Sequence, residues 1–230
     1  MFSIVMPLDN NRLEQFKNTK RVYDAMPQKK EYIIPTRSES QLREYFKKYS
    51  LDKDVRMIPY TLEIGFNCSR ALNIGVSKAK YDSVIITSPE VMPLSPVLDQ
   101  LEEILGTNVV AQVWDGNKDG NKGISLVNTH YRQKDPAMYF LAMFNKADVT
   151  KINGWDEDFL AGYAFEDKDF GGRWARAGIP FVVRDDIQAL HQYHERGETI
   201  PGGLEINRQK FIENYAKRIT RCTNGFDKYS

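Results

Sequence analysis

The sequence predicts an α/β fold, a doubly wound and mostly parallel sheet with helices on both faces. Two observations carry that expectation. In the first half of the chain, short β-rich apolar runs alternate with segments whose apolar residues return at helical spacing, the order that a parallel sheet with crossover helices requires. With 230 residues, the chain is also long enough to bury one sizeable core without metal or disulfide staples.

The elements follow in order. Ser3–Met6 (SIVM) reads as a strand stopped by Pro7, and Arg12 to Met26 as a helix carrying Leu13, Phe16, Val22 and Ala25. Glu31–Pro35, Val55–Pro59 and Ser83–Thr87 read as further strands, with helices over Gln41–Tyr49 and Asn67–Lys80 between them. Ligands of such sheets sit beyond the carboxyl ends of the strands.

The second half breaks the alternation. After a helical segment Val97–Leu105, the strands Val109–Trp114 and Ile124–Asn128 flank DGNKDGNKG and suggest a hairpin. The loop imitates the opening of a calcium loop with Asp115, Asn117, Asp119 and Gly120, but Leu126 stands where a bidentate Glu is needed, so a turn is expected. An apolar segment, Met138 to Phe144, follows. The last thirty or so residues, with Ile206, Phe211, Ile212, Tyr215 and Ile219, suggest an amphipathic helix. Its Lys210, Lys217, Arg218 and Arg221 leave two readings, a helix packed on the domain or a basic surface resting peripherally on a membrane or a partner.

Composition narrows the partners. Thirty-two basic and 31 acidic residues give a net charge of +1, so nothing in the balance implies nucleic acid, and a charged ligand must be met by a local site. Cys68 and Cys222 lie in no metal-ligand spacing and read as free thiols in a reducing compartment. The first residues lack the basic region and apolar run of a signal peptide, and no apolar run approaches the ~20 residues of a membrane span. The expectation is a soluble, cytoplasmic protein.

Three clusters could carry chemistry: Ser88-Pro89-Glu90 just past a buried strand, the acids Glu166, Asp167 and Asp169, and the pair His191 and His194. Each has a plain explanation. Acids favour the positive end of a helix by roughly 0.3–1 kcal/mol, a loop Glu is ordinary, and histidines pack or face solvent. Yet imidazole is the commonest metal ligand, and a carboxylate at the end of a central parallel strand is where a ligand-binding residue is expected.

Taken together, the order of segments resembles the GT-A glycosyltransferases, of the family 2 type and of the galactosyltransferase and chondroitin-synthesising type in the second half. Arg70, Asn73 and Gly75 match the family's RxxNxG helix, and KINGWDEDFLAGYAFEDKDFGGRWARAG is similar to its GGWDExFxGWGxEDxDxxxR segment, with one extra residue between the Phe and the acids. Matching positions include Gly154, Trp155, Asp156, Phe159, Gly162, Glu166, Asp167, Asp169 and Arg173. The family's DxD is here Ser88-Pro89-Glu90, and its second strand's acid is replaced in Pro35-Thr36-Arg37.

The resemblance implies a single GT-A domain, with residues 1–105 as the nucleotide-sugar half and 106–230 as the acceptor half. It implies an inverting transfer of a hexose or N-acetylhexosamine from a nucleoside-diphosphate donor, UDP by preference, to a glycan hydroxyl. Carried over by position, Asp167 is the general base and Glu166 its partner. Pro7, Asp9, Arg70, Asn73, Ser88 and Glu90 meet the donor, while Trp155, Tyr163 and Asp169 meet the acceptor. Glu90, His191 and His194 hold Mn2+ or Mg2+, since Mn2+ accepts mixed carboxylate and imidazole ligands. Trp174, at i+4 from Phe170, reads as core. Asp169 has a second reading, pairing with Arg173 at i+4. Two other function classes are in play: a catalytically inactive module of the same fold that binds a glycan or a partner enzyme, and a sugar nucleotidyltransferase, against which stands the lack of a glycine-rich signature with a following Arg and Lys near the N-terminus.

Overall fold

The computed structural model describes residues 1–61, 66–126, 140–159, 164–195 and 201–229. Strand β1 (Phe2–Val5) is flanked by β2 (Lys30–Thr36) and β4 (Ser83–Thr87), with β3 (Val55–Pro59) outside β2, and all of these pairs are parallel. Crossovers between them run through α1 (Leu13–Asp24), α2 (Glu39–Tyr49) and α3 (Cys68–Ser77). Each helix begins and ends within a few residues of its expected bounds.

Why these segments take these forms is plain from their burial. The inner strands are covered on both faces, so Phe2, Ile4, Val5, Ile33, Ile34, Val84, Ile85 and Ile86 are all fully buried. Leu42 and Phe46 of α2 and Phe16 of α1 return to the sheet at helical spacing, and the Phe16 and Phe46 rings stack at 4.8 Å.

Beyond β4 the sheet changes character. β8 (Leu141–Asn145) runs antiparallel to β4, and β6 (Val109–Gly116) pairs antiparallel with β8. β9 (Val182–His191) lies parallel to β6, and short β5 (Val91–Pro93) closes the far edge against β9, giving the order β3-β2-β1-β4-β8-β6-β9-β5. The expected hairpin forms between β6 and β7 (Lys122–Ser125). Its turn is tied by Asn117 Oδ1, which accepts from the backbone N–H of Asp119 and Asn121. The expected end of its second strand, Val127 and Asn128, lies outside the described residues.

Helices α4 (Val97–Glu102), α5 (Lys146–Lys151), α6 (Glu166–Arg176) and α7 (Gly203–Ala216) complete the framework. Trp174 is core, as expected, packed on Phe144 and Phe170. Both cysteines are free and buried. Helix α7 departs from the amphipathic expectation. Its buried positions are Gly203, Asn207 and Asn214, whereas Leu204, Ile206 and Ile212 are 50, 59 and 44% exposed. Among the described residues, no helix is long and apolar enough to cross a membrane.

Candidate functional site

Glu90, His191 and His194 converge although they come from distant parts of the chain. Antiparallel pairing sets Val91 opposite His191, and the backbone N–H of Gln192 donates to the Glu90 carbonyl at 2.8 Å. Both histidine Nε2 atoms then lie 3.7 Å from Glu90 Oε1, and one candidate ligand atom from each residue falls within 4.8 Å of the others. His194 sits in the irregular segment after β9, whose first two residues past the strand are anchored on α1: Gln192 donates to Thr19 Oγ1 and the Gln15 carbonyl, and Gln15 donates to the Tyr193 carbonyl.

The donor set suits a divalent cation. Glu90 Oε2 is buried with no hydrogen-bond partner, a costly state for a carboxylate oxygen unless something positive meets it. Burial opposes ionisation of Glu90, but the two histidines outweigh it and hold the carboxyl below its usual range. Burial likewise opposes the charged form of His191, and Glu90 with Asp115 overcomes it, raising that imidazole's pKa. Residues of these types with mixed oxygen and nitrogen donors could hold Mn2+ or Mg2+.

Two residues beside this cluster escaped sequence reading. Asp115, read there only as a turn residue, pairs in register with His191 and brings Oδ1 within 3.3 Å of its Nδ1. Such an outer carboxylate orients a metal-binding imidazole. Gly116 follows it, where a Cβ would stand 2.7 Å from the His191 carbonyl, so only glycine lets β9 approach. No local pattern announces either contact, because both depend on which strand becomes the neighbour.

The acids lie at the start of α6. Ala164 and Phe165 precede it with φ of 62° and 73°, a left-handed pair of non-glycine residues that costs on the order of 1–2 kcal/mol each and marks a conformation imposed by its surroundings. Asn207 of α7 holds this turn by donating to the Ala164 carbonyl. Burial, then the charge of Asp167, push Glu166 up to about 8, and its Oε2 finds no partner. Near neutrality Glu166 therefore keeps its proton.

The acids and Glu90 are linked through one buried thiol. The buried Cys68 thiol, at the first position of α3, is held far above its usual pKa by burial and then by the charges of Glu166, Asp167 and Glu90, which all reach it. Arg70 sits two residues further along α3, its backbone N–H capped by Asn67 and its Nε buried without a partner. Ser88, with its unpartnered hydroxyl, and Pro7 lie just past the carboxyl ends of β4 and β1. Asp9 is committed to Arg37, accepting from its backbone N–H at 3.0 Å and its guanidinium at 2.8 and 2.5 Å.

Three expected ligand contacts are corrected. Asn73 is fully buried, donating to the Trp155 carbonyl and Glu157 while accepting from the Trp155 N–H, so it pins α3 to the Gly154–Glu157 turn instead of meeting a donor. At Gly154, φ is +64° and a Cβ would stand 2.3 Å from Asn73 Oδ1. Trp155 cannot offer a face to an acceptor, because its ring is fully buried and stacked on Phe170 at 4.2 Å. Asp169 is 1% exposed and pairs with Arg173 at 2.7 Å, its second reading. The remaining acceptor candidate, Tyr163, lies with Gly162 outside the described residues.

No protein-family model and no curated protein matches the chain. Solved structures do. The chain superposes on S. aureus TarS 1-349 with UDP-GlcNAc at a TM-score of 0.73 and 10% identity, covering 99% of this chain and 69% of that one. It also superposes on the mannosyltransferase PcManGT of Pyrobaculum calidifontis, solved with GDP-Man and Mn2+, at a TM-score of 0.63 and 14% identity, covering 97% and 65%. The chain thus spans about two thirds of the length of these solved chains, and over that span its fold is the GT-A fold.

Proposed function

We propose that the protein is an inverting glycosyltransferase that moves a hexose or N-acetylhexosamine from a nucleoside-diphosphate sugar, UDP by preference, to a glycan hydroxyl. The observation that carries this reading is the convergence of Glu90, His191 and His194, with the charges of Glu90, Glu166 and Asp167 all reaching the Cys68 thiol. Asp167 takes the proton of the attacking hydroxyl as its oxygen bonds to the anomeric carbon from the face opposite the leaving group. Glu166, protonated near neutrality, donates a hydrogen bond to the acceptor and so orients it without competing for that proton. Glu90, His191 and His194 would hold Mn2+ or Mg2+, which when bound neutralises charge on the departing diphosphate. Asp115 and Gln192 keep His191 and its strand end in place for that task. Arg70 supplies a fixed positive charge at the amino end of α3.

Calorimetric titration with UDP and GDP, each with Mn2+ and with excess chelator, tests the donor half. Manganese-dependent binding of one nucleotide is expected. Asp167→Asn tests the acceptor half: transfer should fall by about 10^2–10^4-fold while nucleotide binding stays as in the parent, and a collapse of nucleotide binding would remove Asp167 from the role of base. A second reading, an inactive glycan-binding module, is favoured by Ser88 at the position where the resemblance expects the first acidic metal ligand. Absence of any nucleotide binding would select it.

A further inference from the structure

Helix α7 buries its amides and exposes its hydrocarbon. Asn214 donates to Asp156 at 3.2 Å and Asp169 at 2.9 Å, Asn207 donates to the Ala164 carbonyl, and Lys210 reaches Asp158 at 3.1 Å. These bonds fix how the helix is rotated, and the rotation leaves a row of rings, two half-buried and one exposed, next to the acids at the start of α6. Phe165, the residue immediately before Glu166, lies 5.6 Å from Phe211, which lies 6.1 Å from the 37%-exposed Tyr215. The successive ring planes are inclined by only 32° and 39°. Lys168 lies over one face of Phe165 and Arg176, whose Nε donates to the Ile219 carbonyl, over one face of Tyr215, so each end of the row has a cation against one ring face.

We propose that Phe165, Phe211 and Tyr215 form a stacking track for an extended glycan acceptor, whose reacting sugar is held at Asp167 and whose following sugars lie along α7. The proposal rests on the glycosyl-transfer reading and adds the acceptor class: an oligosaccharide or longer chain, not a monosaccharide. Continuity selects this occupant, since the row begins at the residue that leads into the acids and its rings are spaced on the scale of successive sugar rings. Aromatic faces are the lining that binds a ligand with apolar faces and hydroxyl edges. A lipid surface fits less well. The outward cations Arg208 and Lys217 are paired with Glu205 and Glu213, which leaves the face little positive excess for anionic headgroups.

The test uses the full chain and an immobilised panel of cello-, chito- and manno-oligosaccharides, each from monosaccharide to hexasaccharide, with UDP titrated in parallel. Retention should rise about tenfold or more from monosaccharide to trisaccharide in at least one series, and Tyr215→Ser and Phe211→Ala should each cut the longer glycans back by about tenfold. Ile206→Ala, on the opposite flank of the helix, should retain the parental profile. Tyr215 is exposed, so its variant tests the track even if Phe211→Ala unfolds. No retention at any length, or length dependence that survives Tyr215→Ser, overturns the track, as does a dimer that dissolves in that variant. Nucleotide binding without length dependence would spare the transferase reading and remove only the track. Length dependence without nucleotide binding would do the reverse.

Discussion

Around β1, β2 and β4 the interior is mostly aliphatic and aromatic, whereas the seam between α6 and α7 is built largely from charges and amides. In the first region a pair of phenylalanines, Phe16 and Phe46, stack between helices. In the second, Arg173 is fully buried, pairs with Asp169, and donates to the carbonyls of Ile152 and Gly154, while Asn214 bridges Asp169 and Asp156. One region is stabilised by surface removed from water and tolerates any well-filled replacement. The other gains its geometry from partners that must all be present, because a buried charge left alone is far costlier than the pair is favourable.

That contrast can be broken most directly by truncating one residue on each side. Arg173→Ala and Phe16→Ala should each destabilise the protein by about 3–5 kcal/mol in denaturant unfolding. The two then part company. Replacing Arg173 and Asp169 together with leucine should restore much of the first loss, since no charge remains stranded, while no single partner change should rescue Phe16→Ala. A double variant as unstable as Arg173→Ala would mean that the network is worth more than its desolvation cost.

The next effect is electrostatic. Glu166 titrates at about 8 in the native protein against 4.5 as an ordinary glutamate, so the native state keeps a proton that the unfolded chain releases between those values. Its contribution is present at low pH and is lost as pH rises through that window. Glu166→Gln should flatten the decline and stabilise the protein at pH 8 by roughly 2 kcal/mol, allowing for its partial exposure. Thermal unfolding at pH 5 and pH 8 reads the difference, and an unchanged slope would show that the carboxyl is ionised throughout.

The smallest of these effects belongs to the seam between the regions. Asn73→Ala should cost about 1–3 kcal/mol, because the Trp155 N–H and carbonyl lose their partners inside the protein. If Asn73 only pins the turn, nucleotide affinity should hardly change. A large loss of affinity at unchanged stability would return Asn73 to the donor site.

The same contrast decides what was legible in the sequence. The first half could be read almost to the residue, with Val55–Pro59 and Ser83–Thr87 matching their strands at both ends, because period-two and helical spacing report burial locally. The acids at Glu166 and the histidine pair were also visible as clusters. Trp155 and Asn73 were misplaced, since a motif records that a residue is needed and not whether it faces ligand or core. Helix α7 was misread for a physical reason: its buried face is polar, so hydrophobic spacing pointed to the wrong side. Asp115 and Gly116 were missed because their roles arise from strand neighbours far along the chain.

The pairing of β5 with β9 has a consequence for how the protein comes into being. Gln192 and Glu90 are 102 positions apart, and their contact is what brings the two histidines to the carboxylate. A growing chain orders its N-terminal portion first, and contacts across so long a loop form late because closing it is entropically costly. The parallel run of β1 to β4 can therefore take shape while the cation cluster does not yet exist. A half-made chain carries Glu90 with no imidazole beside it, and the cluster proposed to hold a divalent ion is assembled only when β9 has docked.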